Sequence, residues 1–220
     1  MIIIDNRVYL HIVKTGGTSI KRAVLKHRSD DVQFEWQHGS ANRIPPEFKH
    51  FEKIALVRNP YDWYKSYYDY ILWKKNGKLL AERMAMKNGY NKSNGYVSFD
   101  IFLNRALNFQ DFIIKYNVIN DIKKNMKKCG RLFFYSLWGD LTKTPDYKTF
   151  YQFHLYGAID KETKVFKMEE NIKDVFTKLK LEEIKVNVSP KMDNLTSAQK
   201  NKIFKADRMI FEEFNYNGEN

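Results

Sequence analysis

Two stretches of the chain hold residue types whose spacing suits anion binding. In "LHIVKTGGTSIKRAV", residues 10–24, Lys14, Thr15, Gly16, Gly17, Thr18 and Ser19 lie between an apolar run and a helix-like run. A glycine pair lets backbone approach an anion closely, and a helix start supplies unpaired N–H groups at the positive end of its dipole. Thr15, Thr18 and Ser19 add hydroxyl donors, and Lys14 adds a mobile point charge. In "ALVRNPYDWYKSYY", residues 55–68, an apolar run ends in Arg58, and Ser66 follows eight residues later. Arginine presents a planar fork that grips phosphate oxygens in pairs.

The order of groups narrows the chemistry. A triphosphate-binding loop runs GxxxxGK[ST], whereas here Lys14 precedes the glycines. A P-loop nucleotide triphosphatase or kinase also needs an aspartate at a second strand end to hold Mg²⁺, and the residue there is Arg58. With a helix starting near Asn59, two turns bring Ser66 to the face of the helix start. Two phosphate positions without a magnesium ligand suggest a nucleotide carrying separate 5′ and 3′ phosphates.

These residues need elements to position them. "VYLHIV", Val8 to Val13, alternates and is rich in β-formers, so it reads as a strand. After the "KTGGT" turn, Ile20, Ala23, Val24 and His27 fall at helical spacing, with Thr18 or Ser19 available as N-cap. The pattern repeats at Ile54 to Val57, a buried-type strand, followed by Asn59 as N-cap and Pro60 in a first helical turn. Strand, turn and helix in that order predict an α/β fold with a mostly parallel sheet flanked by helices, its ligand at the carboxyl edge of the strands. Residues 74–97 read as a loop or lid. Helices are expected at "SFDIFLNRAL", "FQDFIIKYNVINDIKKNMKKC", "ENIKDVFTKLKL" and Ser197 to Phe214, and strands at "LFFYSLW" and "KVFKME", with a loop through "GDLTKTPDYKT". With no internal repeat and no long linker, residues 1–220 are expected to form a single domain.

Composition sets the outer bounds. The net charge of +12, from 38 Lys+Arg against 26 Asp+Glu, favours anionic ligands, although a solvated lysine-rich surface gives the same sum. A basic nucleic-acid-binding domain is the reading of a different class, but zinc spacing, RNP and helix-turn-helix signatures are missing. No run of 18 or more apolar residues suggests a membrane span, and the N-terminus lacks a leader pattern. One cysteine, Cys129, allows no internal disulfide. Together these favour a cytoplasmic protein.

"HIVKTGGTSI" resembles the 5′-phosphosulfate loop of the sulfotransferases, HxPKTGGTS, and "ALVRNPYDWYKSYY" their 3′-phosphate motif, RNPYDRxxSxY. The resemblance is closest to the carbohydrate-type branch. Fainter likenesses reach the C-terminus: "SFDIFL", "VFKMEENI", "KVNVSPK" and "ADRMIFEEFNY". Val13 stands where the family has proline, Trp63 where it has arginine, and Lys167 where arginine is common. The resemblance implies a P-loop-like fold with a helical lid. It implies sulfuryl transfer from 3′-phosphoadenosine 5′-phosphosulfate to a hydroxyl or amine of an acceptor, a carbohydrate being expected, with no metal required. Lys14 would neutralise the leaving-group oxygen, Thr15 to Ser19 would hold the 5′-phosphate, and Arg58 with Ser66 would hold the 3′-phosphate.

An acceptor hydroxyl needs a base. His38, in the polar loop "WQHGSANRI" between the two motifs, is the first candidate, with Glu35 and His154 as alternatives. His11, placed inside the first strand, and His27, on the first helix, are explained by packing. Tyr67, Tyr68, Tyr70 and Trp73 could stack on a sugar, but an aromatic stripe on a helix more often faces the core. Lys74, Lys75 and Lys78 could meet an acidic glycan or simply be solvated. A P-loop-type nucleotide kinase, and a donor-binding protein without turnover, remain the competing readings.

Overall fold

In the computed structural model the described residues are 1–35, 39–74, 97–115, 147–184 and 194–218. The elements are β1 (Ile2–Ile4), β2 (Arg7–Leu10), α1 (Gly17–His27), β3 (Val32–Glu35), β4 (Glu52–Val57), α2 (Pro60–Lys74), α3 (Phe99–Leu107), α4 (Phe109–Lys115), α5 (Phe150–Tyr156), β5 (Lys164–Lys167), α6 (Met168–Lys178) and α7 (Ser197–Glu213). Among the described residues none of the helices is long and apolar enough to cross a membrane. The strand read at "LFFYSLW", Cys129, "KVNVSPK", His38 and all but the ends of the 74–97 loop lie outside the described residues. Of the described residues, 1–59 and 154–184 belong to one compact unit, and 60–74, 97–115, 147–153 and 194–218 to a second.

The first unit holds a five-stranded sheet in the order β3-β1-β2-β4-β5. It is mixed, not mostly parallel. β2–β4 and β4–β5 pair in parallel, while β1 pairs antiparallel with both β2 and β3. The departure begins at the N-terminus. "MIIIDNRVYL" folds back on itself, with Ile4 opposite Arg7 and a two-residue turn of Asp5 and Asn6 between them. Asp5 takes the left-handed conformation there, at φ 49°, which short polar side chains tolerate. β2 therefore starts at Arg7 and ends at Leu10, shorter than the Val8 to Val13 expected, and His11 falls just past the strand.

Side chains alternate across the sheet with period two. Ile2, Ile4, Tyr9, Ile54 and Leu56 form one buried face, packed against Ile20, Ala23 and Val24 of α1 and Val175, Phe176 and Leu179 of α6 and its C-cap. Ile3, Val8, Leu10, Ala55 and Val57 on the alternate positions are buried as well, which explains why β4 reads as a continuous apolar run. Charged ties close the unit. The Arg28 guanidinium donates to both carboxylate oxygens of Asp5, at 3.1 and 3.0 Å, and to the Leu179 carbonyl. These contacts hold the Asp5 carboxyl below its usual pKa, the hydrogen bonds from Arg28 being the largest cause. Lys53, on β4 and nearly inaccessible, donates to Asp160 and Glu162 at 2.7 Å each.

The second unit is helical, and its core is aromatic. Trp63 of α2 stacks on Tyr151 of α5 with centroids 4.3 Å apart, and Phe150 packs on Trp63, Tyr67 and Phe109. Tyr68 meets Phe99 and Phe102 of α3. Tyr67 and Tyr68 are thus core residues, while Tyr70 is half-buried. Thr196 and Gln199 form a reciprocal capping box that starts α7 at Ser197, the residue expected. The helix α5 arises from "FYQFHLY", whose near-continuous apolar composition carries no clear period.

Candidate anion-binding site

β2, β4 and β5 run parallel, and each ends at the same edge of the sheet. Past β2 the chain turns sharply through Val13 to Gly16 and enters α1. Lys14 and Gly16 both adopt left-handed backbone, at φ 66° and 84°. For a lysine this conformation is uncommon and costs ~1–3 kcal/mol, a strain of the kind found at ligand sites. Gly16 is itself the N-cap of α1, its carbonyl accepting from the N–H of Ser19 at 2.9 Å. The cap expected at Thr18 or Ser19 is therefore corrected. Both hydroxyl residues lie inside the first helical turn, and among the described residues no side chain caps α1. The N–H groups of Gly17 and Thr18, in the first turn, have no partner within the helix and face outward along its axis.

The two glycines serve different needs. Gly16 requires its positive φ, and a Cβ there would lie 3.2 Å from Ile172 Cδ1 of α6. Gly17 has no positive φ, but a Cβ at this position would overlap Cγ, Cδ2 and Nε2 of the His11 ring. Thr15 also differs from expectation. It is fully buried and its hydroxyl donates to the Ile12 carbonyl at 2.8 Å, which locks the turn. Its hydroxyl is spent on the backbone, leaving its amide for any anion. Thr18 is exposed and Ser19 half-exposed on the first turn of α1.

Arg58 follows the last residue of β4, and its Nη1 donates to the Lys14 carbonyl at 3.3 Å. The arginine thus reaches the loop and braces the strained lysine. At the next residue the Asn59 N–H donates to Glu169 Oε1 at 2.8 Å, joining the end of β4 to the first turn of α6. The structure brings Lys14, Thr15, Gly16, Gly17, Thr18, Ser19 and Arg58 together in the first unit. Ser66 lies half-buried on α2, in the second unit. Glu35 ends β3 at the sheet edge where β2 also ends, and it is paired with Lys21 of α1. His154 is buried on α5. Sequence reasoning missed Glu169 and the contact of His11 with Gly17. The first had a signal, since "VFKMEE" places an acidic residue where a third strand passes into a helix.

A buried polar cluster in the second unit was missed as well. Asp207 of α7 is fully buried at a kink in its helix. Tyr64 donates to its Oδ2 at 2.7 Å, and Thr149 and Gln152 donate to its Oδ1 at 2.6 and 3.1 Å. Burial raises the Asp207 pKa to about 6, against the pull of these three hydrogen bonds.

Comparison of the chain with protein-family models, with curated proteins and with solved structures finds no match.

Proposed function

We propose that the chain is a sulfotransferase of P-loop-like fold that uses 3′-phosphoadenosine 5′-phosphosulfate. The observation that carries this reading is the hydrogen bond from Arg58 to the Lys14 carbonyl, which joins a lysine-first glycine turn to an arginine strand end. A magnesium-dependent triphosphate site wants a carboxylate at that strand end, and here the group is a cation. The residues present suit a donor with two separate phosphate groups: first-turn N–H groups and Lys14 for the 5′ side, and Arg58 for the 3′-phosphate. Ser66 joins Arg58 in this reading through the sequence motif alone.

The donor, when bound, supplies a sulfuryl group on a good leaving phosphate. Sulfuryl transfer is in line and loose, so the protein acts chiefly by positioning and by neutralising charge. With the donor bound, Lys14 would place an ammonium near the leaving oxygen, the amides of Thr15 to Thr18 and the hydroxyl of Ser19 would orient the 5′-phosphate, and Arg58 would anchor the 3′ end. His38 is the proposed base that takes the proton of the acceptor hydroxyl, with Glu35 the carboxylate alternative and the buried His154 the weaker one. The acceptor proposed is a carbohydrate. A thermal-shift comparison tests the reading: adenosine 3′,5′-bisphosphate without metal is expected to raise the melting temperature more than ATP with Mg²⁺. Stabilisation by ATP–Mg²⁺ alone would overturn it in favour of a nucleotide kinase.

A further inference from the structure

We infer that His11 is a positioning residue of the donor loop, and that its imidazole is the reason residue 17 must be glycine. This rests on the anion-binding reading of the loop given above. Three observations lead to it. The His11 ring occupies the volume that a Cβ on residue 17 would need, at Cγ, Cδ2 and Nε2 together, so the imidazole packs where a residue-17 side chain would begin. The ring is also backed by Tyr9, whose own ring lies 6.4 Å away and only 23° from parallel, and Tyr9 is fixed in the core at full burial. Finally, the backbone of Gly17 is not left-handed, so conformation alone would admit alanine, which is the better helix former.

The consequence is mechanical. β2 is anchored in the sheet, Tyr9 is anchored in β2, and His11 carries that anchorage onto the first turn of α1. That turn holds the N–H groups of Gly17 and Thr18 that would face a 5′-phosphate. Anion binding by amides depends on donors held within a few tenths of an ångström, and a bound group misplaced by about 1 Å loses on the order of a hundredfold in rate. His11 and Gly17 form one steric unit that sets where those amides stand, with His11 acting through the glycine.

A double-mutant cycle on adenosine 3′,5′-bisphosphate affinity, measured by titration calorimetry, tests this. Gly17→Ala is expected to weaken binding at least tenfold in the wild-type background, because the methyl displaces the ring or the turn. In the His11→Ala background the same methyl has room, and it is expected to change affinity less than threefold. His11→Phe, which keeps a flat ring and backs onto Tyr9, is expected to bind within threefold of wild type, whereas His11→Ala weakens binding about tenfold. Melting curves of each variant separate lost binding from lost folding. Additive losses for the two alanine substitutions, or a His11→Phe variant as weak as His11→Ala, would overturn the steric role of His11. A wild-type protein with no affinity for the bisphosphate would instead overturn the donor-site reading itself.

Discussion

Asp207→Asn offers a quantitative test of the second unit's buried cluster. The carboxyl is fully buried, and its three hydrogen-bond donors, Tyr64, Thr149 and Gln152, are all neutral. Burial lifts its pKa from 3.8 to about 6. A folded-state pKa above the unfolded one means that the stability contributed by the protonated carboxyl is fully present below the unfolded value and is lost as pH rises through about 6. That rise in pKa is equivalent to ~3 kcal/mol in all, about half of which falls between pH 5 and pH 8. The asparagine keeps the shape and an acceptor for Thr149 and Gln152 but cannot ionise. Urea unfolding followed by tryptophan fluorescence, run on both proteins at pH 5 and pH 8, isolates the residue from every other titrating group. The variant's stability relative to wild type is expected to rise by ~1.5 kcal/mol between the two values. A difference that stays constant with pH, or that falls, would refute the claim that Asp207 is held in a site hostile to its charge.

Other substitutions probe the first unit. Among the described residues the Tyr9 hydroxyl is buried with no hydrogen-bond partner, so burial pushes its pKa up, and Tyr9→Phe is expected to raise stability by ~1 kcal/mol in urea melts. Lys14→Ala is expected to abolish sulfuryl transfer from a radiolabelled donor while lowering bisphosphate affinity less than tenfold, because its charge is needed most as the leaving oxygen develops. Arg58→Ala is expected to weaken bisphosphate binding by roughly tenfold or more, through loss of a charge-assisted phosphate contact and of the brace on the Lys14 carbonyl. Unchanged calorimetric affinity in that variant would contradict the assignment of Arg58 to the 3′-phosphate.

What could be read from the sequence was what is local. Arg58 directly follows β4, and the Lys14 to Gly16 turn lies between the end of β2 and the start of α1, so strand, turn and helix follow each other in the order expected. The amphipathic face of α6 was equally visible, because Val175, Phe176 and Leu179 recur at helical spacing. The N-terminal hairpin was not, since "III" reads as buried strand without saying which neighbour it pairs with, and the antiparallel choice depends on the Asp5–Asn6 turn. The cap of α1 was misread because hydroxyl side chains are the usual N-cap signal, whereas here a left-handed glycine takes the position and leaves the amides uncovered. Long-range partners left the least trace. Asp207 draws its donors from 143, 58 and 55 residues away, and nothing near it in the chain marks them.

The most direct measurement compares adenosine 3′,5′-bisphosphate with adenosine 5′-monophosphate, by calorimetry without divalent metal, on the wild-type protein and on Arg58→Ala. The two ligands differ only in the 3′-phosphate. The expected result is at least tenfold tighter binding of the bisphosphate by wild type, with that preference lost in Arg58→Ala. Equal affinity of the wild-type protein for both ligands, or a preference for the bisphosphate that survives in Arg58→Ala, would contradict the two-phosphate donor site.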